Sequence, residues 1–135
     1  MTGVVLQIAL VAAGGAIGAV GRYALGLGAV AAFGAGFPWG ILIANVLGSA
    51  LIGIVIVLTQ ALGPGQGDAW RLFLAVGLLG GFTTFSSFSL DVALMLEQAR
   101  YLVALAYVGL SVSLCVVGAV AGLAIGRAVF VGATG

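Results

Sequence analysis

The chain contains no histidine and no lysine, and Cys115 is its only cysteine. These absences exclude general acid–base catalysis by histidine, a metal site built from cysteine and histidine, and a disulfide within the chain. Only 5% of the residues are charged, whereas roughly 25% are charged in soluble proteins. The formal net charge is +1 and no basic patch is present, so we expect no nucleic-acid binding.

Apolar residues are in excess instead, because 64% of the 135 residues are hydrophobic. A domain of this size buries only about two-thirds of the surface that its unfolded chain exposes. This composition therefore excludes a soluble monomer and indicates a lipid bilayer as the solvent. One transmembrane helix needs ~20 residues, so the chain can form four helices at most. Four thin helices leave little room for a water-filled lumen, and a protein that conducts an ion would be an oligomer.

Charged residues and turn residues divide the chain into four apolar segments. A turn-like region before Pro38 separates the first two segments, and residues 62–68 form a second turn. The first segment has no basic N-terminal region and is not expected to be a signal peptide. We predict one all-α membrane domain over residues 1–135, with helices at about 4–25, 39–62, 70–96 and 101–130.

The four arginines are divided equally between the two sides of this arrangement. Arg71 and Arg127 fall on one side, whereas Arg100 and Arg22, placed at the end of the first helix, fall on the other. The positive-inside rule then gives no preferred orientation. Either another property such as hydrophobic length sets the orientation, or copies insert both ways up and pair antiparallel, an arrangement called dual topology.

Glycines recur at four-residue spacing on two of the predicted helices. Gly14 and Gly18 form such a stripe on the first helix, and Gly118, Gly122 and Gly126 form one on the fourth. Small residues at this spacing let two helix backbones approach closely. We interpret both stripes as packing surfaces without a chemical role.

The third helix has a segment of low helix propensity near its middle, at residues 80–89, with two glycines followed by two threonines. Backbone that leaves a helix at membrane depth must be buried in protein or line a cavity. Its freed carbonyls could hold a hard cation, and its N–H groups and hydroxyls could meet an anion. Alternatively, the helix continues and its serines and threonines bond back to the preceding turn.

Two further features of the spans have both a structural and a functional interpretation. Phe85 and Phe88 share a helix face, where they either pack or present positive ring edges to a small anion. Asn45, with Ser49 one turn later, either bonds across to another helix or donates to an anion.

Polar residues also lie on the fourth helix and near the helix ends. Tyr107, Ser111 and Cys115 recur every four residues and form a polar stripe, although the serine and cysteine are also ordinary packing residues. Arg22 either extends to the lipid headgroups or draws anions into a vestibule. Asp91 is either interfacial or a vestibule acid.

Three sequence motifs resemble those of the CrcB/Fluc fluoride channel family, in the same order and spacing. They are GGAIGAVGRY at residues 14–23, GILIANVLGS at 40–49 and GGFTTFSSF at 80–88. The third motif is highly specific, and the resemblance extends over nearly the whole chain.

This resemblance implies an antiparallel, dual-topology homodimer with two pores in the bacterial cytoplasmic membrane, where it passively exports fluoride. It also implies that the third helix is broken near the midplane. Backbone carbonyls matching Gly80 and Thr83 would hold a structural Na⁺ at the dimer interface.

The pore that we assign on this basis contains aromatic rings and hydrogen-bond donors: Asn45, Thr84, Phe85, Ser87, Phe88, Tyr107 and Ser111. Arg22 and Asp91 would line the vestibule. The chain departs from the family pattern at Cys115, where a hydroxyl residue is expected. It also departs at Asp91, where glutamate is usual, and at Phe82, where leucine is common.

Three other functions fit the sequence less well. A small proton-coupled multidrug antiporter needs an acid embedded in the membrane, but Asp68, Asp91 and Glu97 are all placed near helix ends. A non-transporting membrane subunit would show no conductance. An intramembrane serine hydrolase lacks a histidine or lysine base.

Overall fold

The computed structural model describes residues 2–132, which are almost entirely helical. The elements are α1 (Thr2–Phe33), α2 (Trp39–Ala61), α3 (Gln66–Trp70), a π-helical segment (Arg71–Leu79), α4 (Gly80–Phe82), α5 (Phe85–Glu97) and α6 (Tyr101–Phe130). Four stretches among these residues are long and apolar enough to cross a membrane: Gly3–Phe33, Trp39–Leu62, Gln66–Glu97 and Tyr101–Phe130. The prediction of an all-helical protein with four membrane spans is confirmed.

Helix α1 continues to Phe33, well beyond its predicted end near Leu25. The prediction was wrong because it placed Arg22 at the water boundary. The Arg22 Nε instead donates to the Gly81 carbonyl oxygen at 3.3 Å, inside the bundle. A polar partner inside the protein lets this cation stay away from the headgroups. The arginines outside the bundle are then two at one end and one at the other, so the charge bias remains small.

The turn between α1 and α2 is formed by a glycine and stacked aromatic rings. Gly34 has a φ of 80°, the left-handed conformation that commonly ends helices, and its N–H donates to the Val30 carbonyl at 2.9 Å. The rings of Phe33 and Phe37 pack against Trp39, with centroids 5.6 and 4.7 Å away. This turn places the Phe37 ring against Tyr107 of α6.

The third span changes its backbone geometry twice. Its π-helical segment covers nine residues, although π-helix usually occurs as single turns near functional sites. After α4, Thr83 and Thr84 adopt extended conformations with ψ values of 156° and 120°, and α5 begins at Phe85. Thr83 and Thr84 are called the extended pair below.

Glycine stripes hold the spans together at two interfaces. A side chain at Gly14 or Gly18 of α1 would collide with backbone atoms of the π-helical segment. At the second interface, a side chain at Gly53 or Gly122 would collide with the facing backbone of α6 or α2. The interpretation of the glycine stripes as packing surfaces is confirmed.

Candidate functional site

A cavity of about 470 Å³ lies beside the extended pair and is called the polar groove here. It remains open on one side, where the Phe85 ring is 78% exposed. Residues from α2, the third span and α6 line it: Asn45, Gly48, Ser49, Ile52, Leu79, Gly80, Thr83, Thr84, Phe85, Phe88, Ser111, Val112 and Cys115. The lining combines amide and hydroxyl side chains with aromatic and aliphatic ones.

The Asn45 side chain binds the backbone of the extended pair at two points. Its Oδ1 accepts the Thr84 N–H at 2.8 Å, and its Nδ2 donates to the Thr84 carbonyl at 3.1 Å. The Asn45 side-chain amide therefore bonds both the N–H and the carbonyl of Thr84, as the backbone of a neighbouring β-strand would. Of the two interpretations of Asn45, the cross-helix bond is observed. Because the amide nitrogen carries a second hydrogen and Asn45 lines the groove, a donor role remains compatible with it.

Thr84 caps the N-terminus of α5 through its hydroxyl. Thr84 Oγ1 accepts the Ser87 N–H at 3.2 Å, and the same oxygen lies 3.2 Å from both the Ser86 and the Ser87 hydroxyls. Threonine is a favoured capping residue because its oxygen satisfies an N–H group that has no helical partner. Three hydroxyls are thus clustered at the start of α5.

The Thr83 side chain turns back along the preceding turn. Its Oγ1 donates to the Leu79 carbonyl at 2.9 Å, and its N–H donates to the same oxygen at 3.0 Å. Thr83 and Gly80 both line the groove. The Thr83 carbonyl oxygen and the lone pairs of its hydroxyl oxygen are both chemically able to bind a cation.

The aromatic side of the groove continues into the bundle. The rings of Phe85 and Phe88 lie 5.5 Å apart between centroids at an interplanar angle of 44°. Phe88 is buried and lies 5.1 Å from the Tyr107 ring, which meets Phe37 edge-on at 5.3 Å. The two phenylalanines therefore have different environments, because Phe85 is exposed in the groove and Phe88 is packed in the core.

Tyr107 and Asp91 form a hydrogen bond beside a second cavity, which Asp91 lines. The fully buried Tyr107 donates from its hydroxyl to the Asp91 carboxylate at 3.3 Å. Asp91 also lines a cavity of about 280 Å³ near the α1–α2 turn, where an Arg100 nitrogen donates to the Gly36 carbonyl at 2.7 Å. Asp91 lies six residues before the end of α5, close to the position that the predicted helix gave it.

The structure brings most of the predicted pore residues to one groove. Asn45, Thr84, Phe85, Phe88 and Ser111 line it, together with Gly80 and Thr83. The remaining predicted residues lie elsewhere: Tyr107, Ser87, Arg22 and Asp91.

The sequence reasoning missed two contacts. It did not predict the Thr84 cap, although threonine is a favoured residue at the N-terminus of a helix. It allowed a bond from Asn45 to another helix but did not identify Thr84 as the partner, for which the sequence carries no local signal.

No group of three or more cysteine, aspartate or glutamate side chains among the described residues could hold a metal ion. The residues that line the groove carry neutral oxygens, in side-chain amide and hydroxyl groups and in the main chain.

Comparison with known proteins relates this architecture to one family. Residues 9–123 match the family described as CrcB-like protein, Camphor Resistance (CrcB). A protein of Phenylobacterium zucineum is 52% identical over 122 residues, which cover 90% of this chain and 95% of the relative. One from Caulobacter sp. strain K31 is 45% identical over 124 residues, covering 92% and 97%.

Both relatives carry the name "Fluoride-specific ion channel FluC", as does one of Erythrobacter litoralis that is 48% identical over 121 residues and covers 87% of this chain and 89% of itself. These names describe ion channels rather than enzymes. With the family match extending over most of its length, this chain belongs to the CrcB family.

Proposed function

We propose that this protein is a fluoride-selective channel that lowers cytoplasmic fluoride by passive efflux. The observation that carries the proposal is the polar groove, whose lining combines the Asn45 amide and the Thr84 and Ser111 hydroxyls with the Phe85 and Phe88 rings. The names of the relatives, which are fluoride-specific channels, support the choice of ion.

Fluoride is small and strongly hydrated, so a pore must replace its water shell with hydrogen-bond donors. The second N–H of Asn45 and the hydroxyl of Ser111 supply such donors from the groove wall. The Phe85 and Phe88 rings of the same groove supply positive edges while offering water no hydrogen bonds. Fluoride would pass along a lining that contains both the donors and the rings.

The pore is completed by a second copy in this proposal. A groove that leaves the Phe85 ring 78% exposed is only one side of a conduit. A two-fold related copy would close it, and the symmetry would make two equivalent pores. The small charge bias between the ends of the bundle supports antiparallel pairing.

A structural Na⁺ fits the residues beside the extended pair. Gly80 and Thr83 line one groove, and the N–H that would bond the Gly80 carbonyl in a regular helix bonds Asn45 instead. Hard cations prefer oxygen ligands, and two carbonyls from each of two copies would supply four. Such a cation would neutralise carbonyl dipoles at the centre of the dimer.

Efflux follows from the membrane potential in a passive channel. A negative cell interior drives an anion outward without energy coupling. Cells need this because hydrofluoric acid crosses lipid as a neutral molecule and ionises in a less acidic cytoplasm. The proposed location is therefore the bacterial cytoplasmic membrane.

The proposal is tested by anion efflux from proteoliposomes. Vesicles loaded with potassium fluoride and treated with valinomycin should release fluoride rapidly, as measured with a fluoride electrode. Matched vesicles loaded with potassium chloride should release chloride no faster than protein-free vesicles. No fluoride release from well-folded protein would refute the channel and favour a non-transporting subunit. Equal release of both anions would refute selectivity.

Dual topology is tested with a single introduced thiol. Replacing Cys115 by serine gives a cysteine-free background, and Ala35→Cys then places a thiol in the exposed α1–α2 turn. A membrane-impermeant maleimide should label about half of the protein in sealed cells, because copies insert in both orientations. Labelling of all copies or of none would show a single orientation.

A further inference from the structure

Two main-chain carbonyls beside the extended pair lose their helical partners for specific reasons. In an α-helix the carbonyl of residue i accepts the N–H of residue i+4. The partner of the Gly80 carbonyl would therefore be the Thr84 N–H, and the partner of the Thr83 carbonyl would be the Ser87 N–H.

Both of these N–H groups donate to side chains instead. The Thr84 N–H donates to Asn45 Oδ1 at 2.8 Å, and the Ser87 N–H donates to Thr84 Oγ1 at 3.2 Å. Each side-chain oxygen replaces one of these two carbonyls as the acceptor. The two released carbonyls belong to residues that line the same groove.

The Gly81 carbonyl, which lies between Gly80 and Thr83 in sequence, has a different partner. It accepts the Arg22 Nε at 3.3 Å, so a cationic side chain already occupies it. The Gly81 carbonyl therefore links the third span to α1, whereas the Gly80 and Thr83 carbonyls belong to residues that line the groove. The positive guanidinium also disfavours cation binding at this particular oxygen.

The orientation of Asn45 is set by its own pairing. Because the amide oxygen must face the Thr84 N–H and the amide nitrogen must face the Thr84 carbonyl, only one of the two amide orientations satisfies both bonds. Asn45 Oδ1 is thus oriented to accept the Thr84 N–H, which the Gly80 carbonyl would accept in a regular helix.

We propose that Asn45 and Thr84 are positioning residues that create the cation site by removing the helical partners of the Gly80 and Thr83 carbonyls. The inference rests on the proposed Na⁺ site and extends the proposed function of Asn45, which would then support both the pore wall and the cation. Losing either acceptor should let the N–H return to its helical carbonyl and weaken cation binding.

The test measures the thermal unfolding of purified protein as Na⁺ replaces choline at constant ionic strength, without fluoride. A ligand that binds the folded state stabilises it in proportion to the logarithm of its concentration above the dissociation constant. The intrinsic fluorescence of Trp39 and Trp70 reports unfolding. We expect the wild-type melting temperature to rise with Na⁺ concentration.

Two variants remove an acceptor while approximately keeping side-chain shape, Asn45→Leu and Thr84→Val. We expect each to raise, at least about tenfold, the Na⁺ concentration at which the melting temperature begins to increase. Thr84→Ser keeps the capping hydroxyl and should retain the wild-type response. Ser49→Ala, in the same groove but without a bond to the extended pair, should also retain it. If Asn45→Leu does not fold, the Thr84 pair alone decides the result.

Two outcomes would overturn the inference. One is a wild-type protein whose stability is indifferent to Na⁺, and the other is a wild-type Na⁺ response in both acceptor-deleted variants. Because these measurements contain no fluoride, they are independent of the efflux experiment. A lost response in the variants would therefore support the inference even if the protein conducted no fluoride.

Discussion

Replacing Gly14 by alanine should prevent α1 from packing on the third span and sharply reduce the yield of folded protein. An added Cβ at Gly14 would collide with the backbone of Phe73 and Leu78 rather than with a movable side chain. Overpacking typically costs about 1–3 kcal/mol, and a backbone obstacle places this site at or above the upper end. Size-exclusion chromatography in detergent and thermal unfolding measure the effect.

The adjacent Gly15 provides the matched control. A Cβ there would make only an ordinary contact with the Gly77 carbonyl oxygen at 3.8 Å. Gly15→Ala makes the same glycine-to-alanine change in the same helix. It should leave the folded yield and the melting temperature nearly unchanged. If the two variants behaved alike, the close contact of α1 with the π-helical segment would not be needed for stability.

Phe85→Ile should lower the rate of fluoride efflux at least about tenfold while leaving the protein folded. Isoleucine keeps apolar bulk in the groove but removes the positive ring edge from the cavity that Asn45 and Ser111 also line. A tenfold lower rate corresponds to about 1.4 kcal/mol in the barrier. Because the Phe85 ring is 78% exposed in a single copy, its loss removes little packing within the chain.

The control for this prediction is a phenylalanine outside the groove. Phe33→Ile makes the same chemical change at the end of α1, where the ring stacks on Trp39. It should leave fluoride efflux within about twofold of wild type, since surface substitutions usually have small effects. If folded Phe85→Ile protein released fluoride at the wild-type rate, the Phe85 ring would not be part of the conduction pathway.

The amino-acid sequence determined the class of this protein and the number of its spans. Few charges and long apolar stretches permit only helices that cross a membrane, because lipid leaves backbone groups no other partners. The spacing of Gly14 and Gly18 predicted their close packing, since helical periodicity places them on one face. The motif at residues 80–88 located the segment that lines the groove.

Only the tertiary structure decided how the polar groups of that segment are satisfied. The partner of Asn45 is the Thr84 peptide, 39 residues away, and the partner of Arg22 is the Gly81 carbonyl, 59 residues away. Sequence periodicity reports which face a residue lies on, but the distance between two helices depends on how all the spans pack. Arg22 was therefore placed at a membrane boundary by its charge, whereas a carbonyl released from the neighbouring span holds it inside the bundle.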